Sequence, residues 1–487
     1  MKQLVTLFFI LIATGYVYGQ QSNPFVKQVG EEIQRAYQSP HPYIGNPSQI
    51  YQKVWSERVY EKDASYIALH FTRLELSEND YLIVRNAENT RAWKYSLQDS
   101  KRKSFWSIHV YGEEAIIEIF SKNSKGGYGY DIDKIARGYS HGDITQEAIC
   151  GGDNSRNAIC YINTEPFVYD RSKAVARLLI NGVSACTGWL VGDDGHLMTN
   201  EHCIENQSDA NNVTVEFMAQ GSNCNTNCNS WLGCPGTIEA TSATLVRSSV
   251  NLDYALLQLP TNVSSTYGFL QLRAGGAVED ERIYIPQHPA AWGKRIALNS
   301  DNINDTGGFA RVHTLTAPRC GGSGYDVGYY ADTRGGSSGS PVLGYGDHLV
   351  IALHHCAYCP NRGVPIEKII EDLGSDLPHN ALGSPATLSG NTSLYPCGDA
   401  TTYRLEQSSP KHYKIQKIIN PCNETSGGTP PEVLNEKDKI QIHVYDFTGL
   451  PIFTTTRNSI DLSKQRPGIF IIRAMINEEI ITYKVQI

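Results

Sequence analysis

The chain has 487 residues, of which 40% are hydrophobic and 19% charged, with a formal net charge of −8. That length exceeds one ordinary domain and predicts about two to four. A mildly acidic chain with no basic run lacks the electrostatic footprint of a nucleic-acid binder, so no nucleic-acid partner is expected.

At the N-terminus, Lys2 precedes an apolar run from Leu4 to Ala13, followed by the small-residue site around Val17-Tyr18-Gly19. The run is too short for a membrane span and reads as a secretory signal over residues 1–20. Export then decides how the twelve cysteines are read. An even number in an oxidising compartment predicts disulfides. The cluster His354-His355-Cys356-x-x-Cys359 and the trio Cys224, Cys228 and Cys234 resemble halves of a zinc site, but no second pair has zinc-finger spacing. No metal and no cofactor are expected.

Residues 21–144 form a β-rich prodomain or companion domain. Short alternating stretches, Ser65 to Phe71, Asp80 to Val84 and Glu114 to Phe120, predict an antiparallel β-sandwich. Residues 145–375 hold ten of the twelve cysteines and short strands at Val175 to Leu179, Cys186 to Val191, Ala255 to Leu259 and Leu349 to Leu353. These predict a double Greek-key β-barrel, closed by a helix over 365–373. Residues 376–435 accumulate Ser, Gly, Pro and Asn and read as a linker in which Cys397 and Cys422 tie a small loop. Residues 436–487 regain β character and predict a small C-terminal β-sandwich. The fold class is therefore all-β dominated.

Three segments of the central block carry chemistry. Thr199-Asn200-Glu201-His202-Cys203, Leu252-Asp253-Tyr254-Ala255 and Gly335-Gly336-Ser337-Ser338-Gly339-Ser340-Pro341 place a histidine, an aspartate and a serine in that order. A serine hydroxyl is a poor nucleophile at neutral pH, so it needs a neighbouring base and a carboxylate that orients the base. Ser338 is the candidate nucleophile, His202 the base and Asp253 the orienting acid. The glycines at 335, 336 and 339 let the backbone turn and approach a substrate. The N–H groups of Gly336 and Ser338 are the candidate oxyanion hole, where each donor contributes a factor of about 10²–10³ in rate. Each segment alone would be a loop or a core residue; their conjunction carries the reading.

The three motifs resemble those of chymotrypsin-like serine proteases, closest to the bacterial branch of glutamyl and lysyl endopeptidases. The resemblance covers about 230 residues. It implies a secreted serine endopeptidase that acts through an acyl-enzyme on protein or peptide substrates. Cys150, Cys160, Cys186 and Cys203 resemble the lysyl endopeptidase framework. It implies that Cys186 pairs with Cys203, Cys150 with Cys356 or Cys359, and Cys160 with Cys224, Cys228 or Cys234. Trypsins of animals place an aspartate immediately before the nucleophile to bind a new N-terminal amine; Ser337 stands there, so no amine–carboxylate switch is expected.

The same resemblance leaves the residue before the scissile bond open. Asp332 aligns with the trypsin position that attracts Lys or Arg, the preference favoured here. Thr333 and His354 match positions with which glutamyl endopeptidases hold a glutamate. The two make opposite electrostatic demands. The downstream stretch Ala357 to Gly363 lacks the carboxylate that lysyl endopeptidases use.

Residues 127–139 resemble a propeptide region, which implies a zymogen cut between about 137 and 149. Val444-Tyr445-Asp446-Phe447-Thr448-Gly449 and Pro467-Gly468-Ile469-Phe470 look like a type IX secretion sorting domain of the Bacteroidota. That resemblance implies a partner in the secretion machinery and passage through a Gram-negative periplasm to the cell surface or medium. The folded chain is expected to be a monomer. The competing reading, a catalytically silent surface binding protein on the same scaffold, has no need of all three groups.

Overall fold

A computed structural model describes residues 26–48, 50–140, 148–320, 324–383, 401–409, 412–419, 439–446, 451–465, 469–476 and 479–486. The signal reading of residues 1–20, the pair Cys397 and Cys422, and Phe447-Thr448-Gly449 lie outside them.

Two antiparallel sheets follow the first described residues. One has the strand order Gly30–Gln38, Gly129–Gly138, Tyr66–Glu75, Phe105–Trp106, with Val110–Tyr111 also on Tyr66–Glu75; the other runs Gln52–Tyr60, Glu114–Ser121, Tyr81–Asn86, Ala92–Tyr95. Alternation along these strands turns Phe71, Val84, Tyr95, Ile117 and Tyr130 into one buried core.

The central block is built from two larger antiparallel sheets. The first has the order Thr237–Ala240, Val213–Phe217, Val175–Ile180, Ser184–Val191, His196–Thr199, Tyr254–Gln258, Thr244–Ser249. The second runs Arg156–Asn157, Arg295–Ala297, Ile283–Gln287, Pro341–Gly344, Val350–Cys356, Asn361–Pro365, Tyr325–Tyr329, Val312–Pro318. No continuous ladder joins the ends of either sheet among the described residues, but the antiparallel bridges Arg282 to Arg311 and Asn299 to Phe309 bring the start of Val312–Pro318 back to Ile283–Gln287 and Arg295–Ala297 in the second sheet. Trp189, Leu257, Tyr284, Leu343 and Leu353 share one core between them, and the helix Ile366–Leu373 packs Ile366, Ile369 and Leu373 into it.

The C-terminal strands Pro451–Thr455, Ile440–Asp446, Ile469–Ile476 and Glu479–Gln486 form one sheet, and Thr401–Ser409, His412–Ile419 and Ser459–Asp461 another. The hairpin 401–419 falls inside the span expected to be linker. Its own alternation buries Tyr413 and Ile415 against Ile442, Val444 and Ile472; the Ser, Gly and Pro on both sides had masked that pattern in the composition.

The N-terminal sheets are docked on the central block. Lys27 and Gln28 pair with Ala185 and Ser184, adding a strand to the edge of Ser184–Val191. Tyr66 donates its hydroxyl hydrogen to the Gly182 carbonyl at 2.9 Å. Val29, Tyr66, Trp106 and Ala136 bury an apolar patch against Leu179, Ala185, Leu232 and Trp292. At its margin Glu216 receives Arg177 at 2.6 Å and, from the N-terminal unit, Arg91 at 2.9 Å. Burial alone would raise the Glu216 carboxyl, but the two guanidinium groups hold it well below the usual carboxylate range.

Removing one partner of such a buried pair leaves an uncompensated charge, which costs about 3–5 kcal/mol. Glu216→Ala should therefore lower the unfolding free energy by that amount, read as a shift of the denaturant midpoint to lower concentration. The folded-state pKa is depressed, so the contribution is complete above an unfolded glutamate's pKa of about 4.3 and fades as pH falls below it. The stability gap between wild type and variant should narrow on acidification below that value; a gap independent of pH would contradict the ionised network.

Candidate active site

Pairing of His196–Thr199 with Tyr254–Gln258, Thr199 opposite Ala255, brings the residues that follow the first strand beside those that precede the second. His202 and Asp253 meet there. His202 Nδ1 lies 2.8 Å from Asp253 Oδ2 and 3.0 Å from Oδ1, and the His202 N–H donates to Oδ1 at 3.0 Å. Asp253 holds a left-handed backbone (φ 45°), secured by Asn200 Nδ2–H donating to its carbonyl at 2.7 Å. A carboxylate at Nδ1 keeps the proton on that nitrogen and leaves Nε2 as the basic one. Burial would raise the Asp253 carboxyl, but His202 and His355 hold it well below its ordinary value. The Cys186–Cys203 disulfide lies directly against the imidazole, with a ring nitrogen within 4.8 Å of both sulfurs.

Ser338 sits in the turn ahead of Pro341–Gly344, on the second sheet. Thr187 ties that turn to the first sheet. Its N–H donates to the Ser338 carbonyl at 2.9 Å and its hydroxyl to the Gly336 carbonyl at 2.9 Å. Because Thr187 adjoins Cys186, and Cys186 is bonded to the neighbour of His202, the same short segment holds both His202 and Ser338. Gly336 adopts φ 96° and Gly339 φ 85°. A Cβ on Gly339 would stand 2.2 Å from the Thr187 carbonyl oxygen, so this position requires glycine. The Gly335 carbonyl accepts from Ala290 N–H at 2.7 Å, while the N–H groups of Gly336 and Ser338 have no acceptor among the described residues. Two free donors flanking a serine hydroxyl are what a developing oxyanion requires.

Ser337 is fully buried and points away from that opening. Its hydroxyl donates to Gln287 Oε1 and accepts from the Arg334 N–H at 3.1 Å, and Gln287 Nε2–H donates to the Asp332 carbonyl at 2.7 Å. A neutral hydrogen-bond chain thus shapes the turn where a buried aspartate could have paired with an amine.

The three pocket candidates differ. Both Asp332 oxygens are taken by the backbone: Cys150 N–H reaches Oδ1 at 3.1 Å and Asn154 N–H reaches Oδ2 at 2.7 Å. Burial pushes this carboxyl up to about 6. Asp332 therefore anchors the segment 150–154 rather than presenting a bare charge to a cation. The Thr333 hydroxyl is buried and has no hydrogen-bond partner among the described residues. His354 Nδ1 lies 2.7 Å from the Tyr329 hydroxyl, and burial lowers its imidazole to about 3, so it is neutral.

The described residues hold five disulfides: Cys150–Cys359, Cys160–Cys224, Cys186–Cys203, Cys228–Cys234 and Cys320–Cys356. The cysteines spaced like zinc half-sites are all among them. The one cluster of potential ligands among the described residues, Cys186, His202 and Cys203, offers disulfide sulfurs rather than thiolates. The sequence pointed to no role for Thr187, Gln287 or Asp326 and named His355 only in a zinc-like cluster, yet all four make hydrogen bonds that hold the site together from other strands.

Comparison with known proteins gives a trypsin-like peptidase domain at residues 186–353. "Secreted RxLR effector protein 73" of Plasmopara viticola is 43% identical over 328 residues, which cover 64% of this chain and 79% of that protein. An uncharacterised protein, y4fB of Sinorhizobium fredii, is 26% identical over 275 residues, covering 53% of this chain and 35% of its own. Among solved structures, a Glu endopeptidase in complex with MPD is 16% identical over 47% of this chain and 98% of its own, with a TM-score of 0.32. The active form of the Rv3671c protease from M. tuberculosis is 19% identical over 44% of this chain and 85% of its own, also at 0.32.

Because Ser337 acts by neutral hydrogen bonds, Ser337→Ala should cost about 1–3 kcal/mol of stability through the unsatisfied Gln287 amide. Activity per folded molecule should persist. Total loss of activity in a folded variant would show that this position carries an activation switch.

Proposed function

We propose that this chain, which belongs to the same family as the Plasmopara viticola protein and carries a trypsin-like peptidase domain, is an exported serine endopeptidase. Ser338 attacks the scissile carbonyl, His202 takes its proton and returns it to the leaving amine, and Asp253 orients His202 and stabilises the imidazolium. The N–H groups of Gly336 and Ser338 receive the oxyanion. The observation that carries this reading is the pair of strong contacts from His202 Nδ1 to Asp253, set beside a serine turn with two unengaged N–H donors. A catalytically silent scaffold would have no need to keep the half-buried Asp253 carboxylate ionised beneath a histidine.

For the residue before the cut bond, the geometry favours an acidic side chain over the Lys or Arg that alignment of Asp332 first favoured. With Asp332 occupied by backbone donors, the groups left to meet a side chain are the Thr333 hydroxyl and His354. If the Tyr329 hydroxyl donates to His354 Nδ1, the remaining ring proton is on Nε2. Two neutral donors then face the pocket, and a bound carboxylate would draw His354 towards its protonated form.

Export is supported by the signal-like N-terminus and by five disulfides, which persist in oxidising compartments. Residues 21–144 act as a prodomain that assists folding of the catalytic unit. The C-terminal strands, on their sequence resemblance alone, form a type IX secretion signal.

A serine-directed phosphonate should label the matured enzyme and spare Ser338→Ala; no label on wild type would sink the catalytic reading. In a peptide library, cuts should follow glutamate, and Thr333→Val should raise KM for such peptides about tenfold, in line with loss of one hydrogen bond to a charged group. Cleavage after Lys or Arg would return the role to Asp332. Residues 436–487 fused to an inert reporter in a Bacteroidota host should carry it to the surface or medium; a reporter held in the periplasm would refute the sorting role.

A further inference from the structure

His355 stands next to the pocket residue His354 on the strand Val350–Cys356, but its side chain serves a different set of partners. Its Nδ1 lies 3.0 Å from Asp253 Oδ2, the oxygen that also contacts His202. Its Nε2 lies 2.9 Å from Asp326 Oδ2. Asp326 is fully buried in Tyr325–Tyr329, where Arg319 Nε holds its other oxygen at 3.2 Å and the Cys320 N–H reaches Oδ2 at 3.3 Å. The Cys320–Cys356 disulfide fastens Arg319 and Cys320 to the end of the His355 strand.

An imidazole with a carboxylate oxygen at each nitrogen meets a simple condition. In the neutral ring one nitrogen carries a lone pair, which would face the lone pairs of a carboxylate at hydrogen-bond distance. Both contacts are attractive only when both nitrogens bear protons. Charge counting agrees: Asp253 and Asp326 are balanced by His355 and Arg319, and the buried set is then neutral. With a neutral His355 it would carry one uncompensated negative charge in a site shielded from water. The remaining ionisable neighbours are His202, His354 and Glu201; the last is pushed up by burial and by Asp253. His354 is neutral and offers no compensation.

We propose that His355 is a positioning residue for catalysis, an imidazolium clamped between Asp253 and Asp326 that fixes the Asp253 carboxylate in the plane and distance that His202 requires. It acts through Asp253 and touches no substrate, and it rests on Ser338, His202 and Asp253 working as set out above. Burial by itself would lower its pKa; the two carboxylates reverse that and push it up to about 9. The folded value is raised, so the stability this residue supplies is complete below a free histidine's pKa of about 6.5 and is lost as pH climbs through about 9. Between those limits the clamp stays charged while His202 cycles through its proton transfers.

The test compares wild type with His355→Gln and Asp326→Asn in the matured enzyme, counting sites by phosphonate labelling of Ser338. His355→Gln should lower kcat per labelled site about tenfold to a hundredfold with KM within about twofold. The acid limb of kcat/KM should move to higher pH, since a cation near His202 has been removed. Asp326→Asn should move both quantities the same way by less. An unchanged kcat and pH profile in labelled His355→Gln would overturn the proposal. Failure of wild type to label would instead sink the catalytic assignment beneath it. If neither variant folds, nitrogen-15 NMR of the wild-type histidines decides: His355 should show two protonated nitrogens at pH 7 and lose one near pH 9, and a neutral ring at pH 7 would refute the clamp.

Discussion

Thr187 is the residue on which both halves of the site depend. Its N–H and hydroxyl hold the carbonyls of Ser338 and Gly336, its hydroxyl accepts from the His288 N–H at 3.1 Å, and its carbonyl accepts from the Thr199 hydroxyl at 2.8 Å. Every one of these groups is buried, so each bond lost would leave a polar atom with neither protein nor water. Ser338 and His202 arrive on different sheets, and among the described residues no covalent bond links those sheets at the turn itself. A small β-branched side chain with one donor and one acceptor, adjacent to a disulfide that grips the histidine loop, sets their separation without adding bulk to the cleft.

Charge neutrality is the second organising constraint. Two carboxylates, the half-buried Asp253 and the buried Glu216, lie in the same sheet region and are kept ionised by different means. Glu216 uses guanidinium partners, whose charge never titrates in the accessible range, and its role is to join units. Under the proposed role Asp253 must remain sensitive to His202, so a permanently charged arginine at about 3 Å would compete with that histidine for its oxygens. A histidine held cationic by a second aspartate supplies compensation with a single proton at each face. That distinction follows from the donor inventories: arginine presents a fork of five N–H groups, imidazolium only two, in opposite directions.

The catalytic motifs were legible because each is local: a histidine after a strand, an aspartate before one, and a serine amid glycines. Their partners were not. His355 meets Asp253 across 102 residues and Asp326 across 29, and neither separation leaves a pattern in the chain. The adjacent histidines and Cys356 resembled metal ligands, a reading that the disulfides to Cys320 and Cys150 replace. For Asp332, alignment shows position and not what the carboxylate already holds, the N–H groups of Cys150 and Asn154. Helix 366–373 and the principal strands followed from periodicity, whereas the hairpin 401–419 was hidden by its surroundings.

The docked N-terminal unit bears on maturation in a way that the motif alone did not reveal. Tyr111 donates to the Leu232 carbonyl, Leu232 N–H donates to Ala291, Arg177 also donates to Ala291, and Ala290 N–H reaches Gly335 beside the oxyanion turn. Contacts made by the N-terminal sheets thus continue by hydrogen bonds to the backbone that must shape the oxyanion hole. Cutting the chain between 137 and 149 breaks none of them. The unit would stay bound through the added strand, the apolar patch and the Arg91–Glu216 pair, and its departure would uncover the edge of Ser184–Val191 together with Leu179, Leu232 and Trp292. An unpaired edge beside exposed apolar side chains favours rebinding or aggregation. Cleavage there and release would therefore be separate events, and the central block as described is packed with the N-terminal unit in place.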